Sequence, residues 1–135
     1  DHVIAHYKAQ FTDWLNFADP GHADPKTLIA DFFAFMNDRI TLDRQLSRVF
    51  IEIWEIAVYN PAVRARLQAA YGEWTAVLQQ MLNRAVADET TADRMSTAIV
   101  AFVEGMAMFS VILDPDRFAF REVLTQVQQH IVASL

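Results

Sequence analysis

From Arg48 to Tyr71 the chain reads RVFIEIWEIAVYNPAVRARLQAAY, and in its first half only Arg48, Glu52 and Glu55 interrupt the apolar positions. Spacings of four and three place these charges in one row along a helix, leaving Val, Phe, Ile and Trp on the remaining sides. The rest of such a helix is expected to be buried at the centre of an all-helical domain, a fold class that places small-molecule cavities between its helices. Asn60-Pro61 breaks the run, and an amphipathic helix follows.

The same pattern predicts six helices, with no internal repeat and no strand-like alternation of useful length. The first runs from about Val3 to Phe17, with Ile4, Tyr7, Phe11, Trp14 and Ala18 in one stripe opposite Lys8, Asp13 and Asn16. After a loop, Asp24 and Pro25 open the second, which ends near Arg39. The third covers about Asp43 to Tyr59. The fourth covers about Pro61 to Val86, with Val63, Leu67, Ala70, Trp74, Val77, Met81 and Ala85 facing the core. Thr90 to Asp93 resembles a capping box for the fifth, which continues to about Leu113, and Asp114-Pro115 leads into a sixth from about Asp116 to Ser134.

A chain of 135 residues fits one domain, 1–135, with a single core. Hydrophobic residues make up 53%, and 10 Phe with 3 Trp exceed what a small helical core needs, so extra rings are available to line a cavity. A net charge of −6, from 17 acidic against 11 basic residues, argues against this chain gripping nucleic acid by itself. The absence of Cys removes disulfides, thiolate catalysis and Cys-based zinc sites, and is compatible with a cytoplasmic protein. Asp1-His2 opens directly on a helical pattern, with no basic stretch and apolar run, so no secretory leader is expected from these residues.

Met95 to Leu113 carries Glu104 as its only charge and is apolar enough to invite a membrane assignment. Glu104 near the middle, with Ser96, Thr97 and Ser110, argues against a span, because a carboxylate at bilayer depth costs roughly 2 to 3 kcal/mol or more. A helix covered by protein on two sides fits better. Glu104 must then be ionised with a partner, protonated or turned to water; facing a cavity, it would hold a cationic or hydrogen-bonding ligand group. His2 and His6 are spaced to share a metal, but no third ligand follows, so no metal or cofactor is expected. No nucleophile motif or phosphate loop occurs, and catalysis has no visible machinery.

On the fifth helix Ala98, Ala101, Gly105 and Met108 form a small-residue row beside a bulky row of Met95, Ile99, Phe102, Met106 and Phe109. A mid-helix glycine costs roughly 1 kcal/mol against alanine, so close packing or a ligand is a reason to look for at Gly105. On the sixth helix Phe120, Val123, Leu124, Val127, Ile131 and Leu135 make a stripe wider than one neighbouring helix would cover. An intramolecular core and a contact with a second copy both remain open from these residues.

FIEIWEIAVYNPAVRARLQAAYGEW, from Phe50 to Trp74, is similar to the middle of the ligand-binding domain of tetracycline-repressor (TetR) family regulators, and VEGMAM at Val103 to Met108 resembles that family's acidic-Gly-hydrophobic element. The resemblance covers essentially the whole chain and implies a six-helix regulatory domain. It implies a homodimer, in which the last two helices of each copy form a four-helix bundle through Ala98, Ala101, Gly105, Met108, Phe120, Val123, Leu124, Val127 and Ile131. It also implies an internal pocket for a small apolar or amphipathic effector. Phe11, Trp14, Phe33, Phe50, Trp54, Trp74, Met81, Phe102, Glu104, Met106 and Phe109 are its candidate lining. The family's three DNA-binding helices have no counterpart here: Asp1 falls about where the connecting helix would begin. Operator DNA is therefore expected to be a partner only through an N-terminal domain outside this chain. A stand-alone helical interaction module and an enzyme built around Glu104 are the alternatives.

Overall fold

Side-chain caps mark the starts of four of the five complete helices among the described residues. The computed structural model describes residues 24–37, 43–114 and 116–135, together with positions 2, 5, 6 and 9. Five α-helices are complete among the described residues: α1 (Pro25–Met36), α2 (Arg44–Tyr59), α3 (Pro61–Asn83), α4 (Glu89–Ile112) and α5 (Phe120–Ser134). Of the first predicted helix only His2, Ala5, His6 and Ala9 are described; they are helical and exposed. Phe11 and Trp14 lie outside the described residues.

Asp24 caps α1 through the Thr27 amide, and Asp43 caps α2 through the Leu46 amide. At the α2–α3 corner the Asn60 side chain accepts from the amides of Ala62 (3.0 Å) and Val63 (3.2 Å), filling two of the donors a helix start leaves unpaired. From the next turn Arg64 reaches back, its Nε donating to the Ala57 carbonyl (3.0 Å) and its Nη2 to that of Val58 (2.7 Å). Asn60-Pro61 and Arg64 thus form a reciprocal clasp: Asn60 supplies acceptors to α3 while Arg64 supplies donors to the last turn of α2. Asn60→Ala is expected to destabilise the domain by about 1 kcal/mol in urea unfolding, the usual cost of losing an N-cap. An unchanged midpoint would show that the corner does not depend on this clasp.

Two helix starts differ from the sequence expectation, and α3 ends at Asn83, short of the expected Val86. The cap of α4 is Asp88, accepting from the amides of Thr90 and Thr91, so Thr90 lies inside the helix and no Thr90–Asp93 box opens it. The sixth predicted helix starts at Phe120 and not near Asp116. Residues 116–119 form turns tied to Asp114, whose carbonyl accepts from Phe118 (3.1 Å) and whose carboxylate accepts from the Asp116 amide (3.0 Å). Ala119 then takes a left-handed conformation, φ 51 and ψ 46, and no side chain caps α5. Such a backbone costs an alanine roughly 1 kcal/mol.

The principal core lies where α1 packs on α3 and α5, and α3 on α4. It contains Leu28, Ile29, Phe32 and Phe33 of α1, Leu78, Met81 and Leu82 of α3, and Ala92, Ile99 and Val103 of α4, with Ile131 and Val132 of α5 against it. A smaller cluster centres on Phe50, with Phe35, Leu46, Trp54 and Trp74, and a third joins Met106 of α4 to Phe120 and Leu124 of α5. By length and hydropathy α4 is capable of crossing a membrane. In this fold it packs against α2 and α3, which cover two of its sides.

The expectation that α2 is buried away from its charged row holds only in part. Arg48, Glu52 and Glu55 are exposed as predicted, but Ile56, Val58 and Tyr59 are 52%, 61% and 85% exposed. Among the described helices the main neighbours of α2 are α3 and α4, and these leave the far side of its last turn uncovered.

Candidate ligand-binding site

Arg44 at the start of α2 donates to the Val111 carbonyl near the end of α4 (3.4 Å), an antiparallel arrangement that brings the middles of the two helices together. Helical periodicity then aligns Ser47, Phe50, Ile51 and Trp54 on α2 opposite Val103, Glu104, Ala107 and Met108 on α4. These eight residues line a cleft. Its atom-free space, including the open mouth, is about 350 Å³, and its enclosed part has room for about one water.

Behind the cleft, α3 supplies an aromatic brace. The Trp54 indole Nε1–H donates to the Tyr71 hydroxyl (3.0 Å), and that hydroxyl donates to the Glu104 carboxylate. One polar relay thus joins α2, α3 and α4. Tyr71 meets Trp54 edge-to-face at 6.0 Å and Trp74 at 5.0 Å, and Trp74 lies 6.4 Å from Phe50. Ring pairs at these separations fix one another's orientation and add about 0.5 to 1.5 kcal/mol each beyond area burial.

Burial pushes the Glu104 carboxyl up to about 7 from its usual 4.5, and the Tyr71 hydrogen bond only partly opposes this. At neutral pH the group is therefore poised between a carboxylate that accepts and an acid that donates. A half-ionised carboxyl inside an aromatic cleft suits recognition of a ligand's polar group.

The expected lining separates into several places. Phe50, Trp54 and Glu104 border the cleft, and Trp74 stands behind it against Phe50 and Tyr71. Phe33 and Met81 belong to the closed principal core. Met106 is buried with Phe120 and Leu124, Phe102 packs between that cluster and the principal core, and Phe109 points outward at 53% exposure. Met108, assigned from sequence to the dimer row, lines the cleft instead. Ser47, Ile51, Val103 and Ala107 were absent from the expected lining, and Tyr71 enters as the link between Trp54 and Glu104.

The expected dimer face divides as well. Ala98, Ala101 and Val123 are exposed, and Gly105, Val127 and Ile131 are half-buried. Phe120 and Leu124 are already covered, at 5% and 2% exposure, by residues of their own chain. Among the described residues a Cβ added at Gly105 would meet nothing within 4 Å, so close packing against them is not what this glycine serves.

An all-helical regulatory domain without enzymatic function is the class that the fold and the comparisons define. The family model for the C-terminal domain of BetI-type transcriptional repressors matches residues 25–135. The chain belongs to this family, a C-terminal type within the TetR regulators. No curated protein and no solved structure matches the chain.

Proposed function

We propose that this domain binds a small apolar or amphipathic effector in the α2–α4 cleft and dimerises, thereby controlling operator binding by the protein to which it belongs. The observation that carries the ligand-binding half is the placement of one largely buried carboxyl, Glu104, in an aromatic cleft, tied through Tyr71 to a neighbouring helix. An effector that engages Glu104 competes with the Tyr71 hydroxyl and so acts on a contact shared by α2, α3 and α4. Its energy moves the regulator between states only through different affinities for them. DNA recognition would belong to an N-terminal domain, repression would follow the family's name, and the domain would act in the cytoplasm.

Exposure along α4 supports the dimerising half. Ala98, Ala101, Gly105, Phe109 and Ile112 follow one another at spacings of three and four, and Phe109 and Ile112 are 53% and 72% exposed. This row, small at one end and bulky at the other, would meet its twin across a two-fold axis, with Val123 and Phe118 beside it. In sedimentation equilibrium the 15.4 kDa chain is expected at twice its mass. The double substitution Phe109→Glu and Ile112→Glu should return it to a monomer with unchanged helicity. A monomeric wild type would remove this interface from the account.

The small enclosed volume favours a second reading, a helical dimerisation module with a filled core and no ligand. Melting curves discriminate the two. A binding domain gains stability with hydrophobic compounds as RT ln(1 + [L]/Kd), whereas a filled core does not respond.

A further inference from the structure

Ser47 lies on the α2 wall of the cleft, 3% exposed, and its hydroxyl is buried without a hydrogen-bond partner among the described residues. The other buried serines of the core, Ser96 and Ser110, return their hydroxyls to the carbonyls of Asp93 (2.7 Å) and Ala107 (2.6 Å). Ser47 therefore departs from the way this fold satisfies a helical serine. Leaving a hydroxyl unpaired in a buried site carries a free-energy cost that a matching ligand atom would relieve.

We propose that Ser47 and Glu104 together form a hydroxyl-selecting subsite, taking the alcohol or phenol group of an otherwise apolar effector whose carbon skeleton rests in the cleft's mouth against Phe50, Ile51, Trp54 and Met108. The inference rests on the effector-binding function proposed above. Three features select a hydroxyl. The inner space matches one water-sized oxygen, which excludes a bulky head group. Ser47 offers a donor and lone pairs, and Glu104 an acceptor, so a group that both donates and accepts satisfies both walls. An ammonium only donates and leaves the Ser47 proton without an acceptor, while an anionic group meets the Glu104 carboxyl.

The test uses three probes of one skeleton, benzyl alcohol, toluene and benzylamine, titrated calorimetrically into the 135-residue chain and its Ser47→Ala variant. Benzyl alcohol is expected to bind the wild type about tenfold more tightly than toluene, the scale of one or two buried hydrogen bonds. In Ser47→Ala that preference should fall to about twofold or less, with toluene affinity unchanged. The variant removes an unpaired hydroxyl and is expected to melt no lower than the wild type, so loss of preference would not reflect loss of fold. Equal binding of benzyl alcohol and toluene, or a preference untouched by Ser47→Ala, overturns the hydroxyl subsite while the effector cleft stands. Tighter binding of benzylamine than of benzyl alcohol also overturns it, in favour of charge selection. Failure of all three probes to bind removes the cleft function and this subsite together.

Discussion

Phe33→Ala is expected to destabilise the domain by about 3 to 5 kcal/mol, the range for emptying a fully packed phenyl site. Phe33 is 1% exposed, meets Phe32 edge-to-face at 6.0 Å, and sits in the core that α1 shares with residues of α3 and α4. Domains of this size are stable by only about 5 to 15 kcal/mol, so the variant should unfold at much lower urea with the same slope. Phe118→Ala, at a ring 47% exposed in the turn before α5, should cost under about 1 kcal/mol. A Phe33→Ala cost as small as that of Phe118→Ala would place Phe33 outside the core, in a space able to accept a guest. The comparison therefore separates core packing from cavity lining at Phe33.

Glu104→Gln is expected to leave stability nearly unchanged at pH 4.5 and to raise it by about 2 to 3 kcal/mol relative to wild type at pH 8.5. The sign follows from the proton balance. The folded carboxyl releases its proton near 7, against 4.5 when free of the fold, so between these values the folded chain holds more protons than the unfolded one. Stability from this group is present in full below the lower value and is lost as pH rises through the higher one. Glutamine keeps the shape and accepts from the Tyr71 hydroxyl, but never ionises. Urea unfolding of both proteins across this range isolates Glu104, because every other titrating group is common to them. A difference that does not grow with pH would mean that the carboxyl is solvated at all pH values.

Much of the helical frame was legible because local chemistry determines it. Asn60-Pro61 with Arg64, and Asp24 with Pro25, mark boundaries through caps and fixed backbone angles that hardly depend on the rest of the fold. Glu104 was conspicuous for a related reason, as a carboxyl in an apolar segment must meet some polar purpose. Less legible was which neighbour covers each apolar face. Periodicity cannot tell that Met108 turns to α2 while Phe109, one residue and about 100° further round, turns outward. Nor can it tell that Phe33 of α1 and Met81 of α3 are closed into one core with Ile99 and Val103 of α4, or that Phe120 and Leu124 pack with Met106 of their own chain. Ser47 carried no signal, because serine on a helix ordinarily bonds a carbonyl of the preceding turn, and only the fold reveals that this one does not. At α4 the capping-box pattern pointed to Thr90 as the cap, whereas Asp88, two residues earlier, reaches two free amides and opens the helix.

The central claim is that the α2–α4 cleft receives a small molecule. Nitrogen-15 NMR of the indole groups tests it most directly, because only three tryptophans are present and the Trp54 indole N–H is bound to the Tyr71 hydroxyl beside Glu104. With the signals assigned through Trp54→Phe and Trp74→Phe, titration with benzyl alcohol is predicted to shift the Trp54 resonance in a saturable way. Amides of Ser47 and Met108 should move with the same binding constant, while those of Leu28 and Leu82 in the principal core stay in place. Saturable shifts confined to the core or the outer face of α4, or no saturable shift at Trp54, would contradict the account.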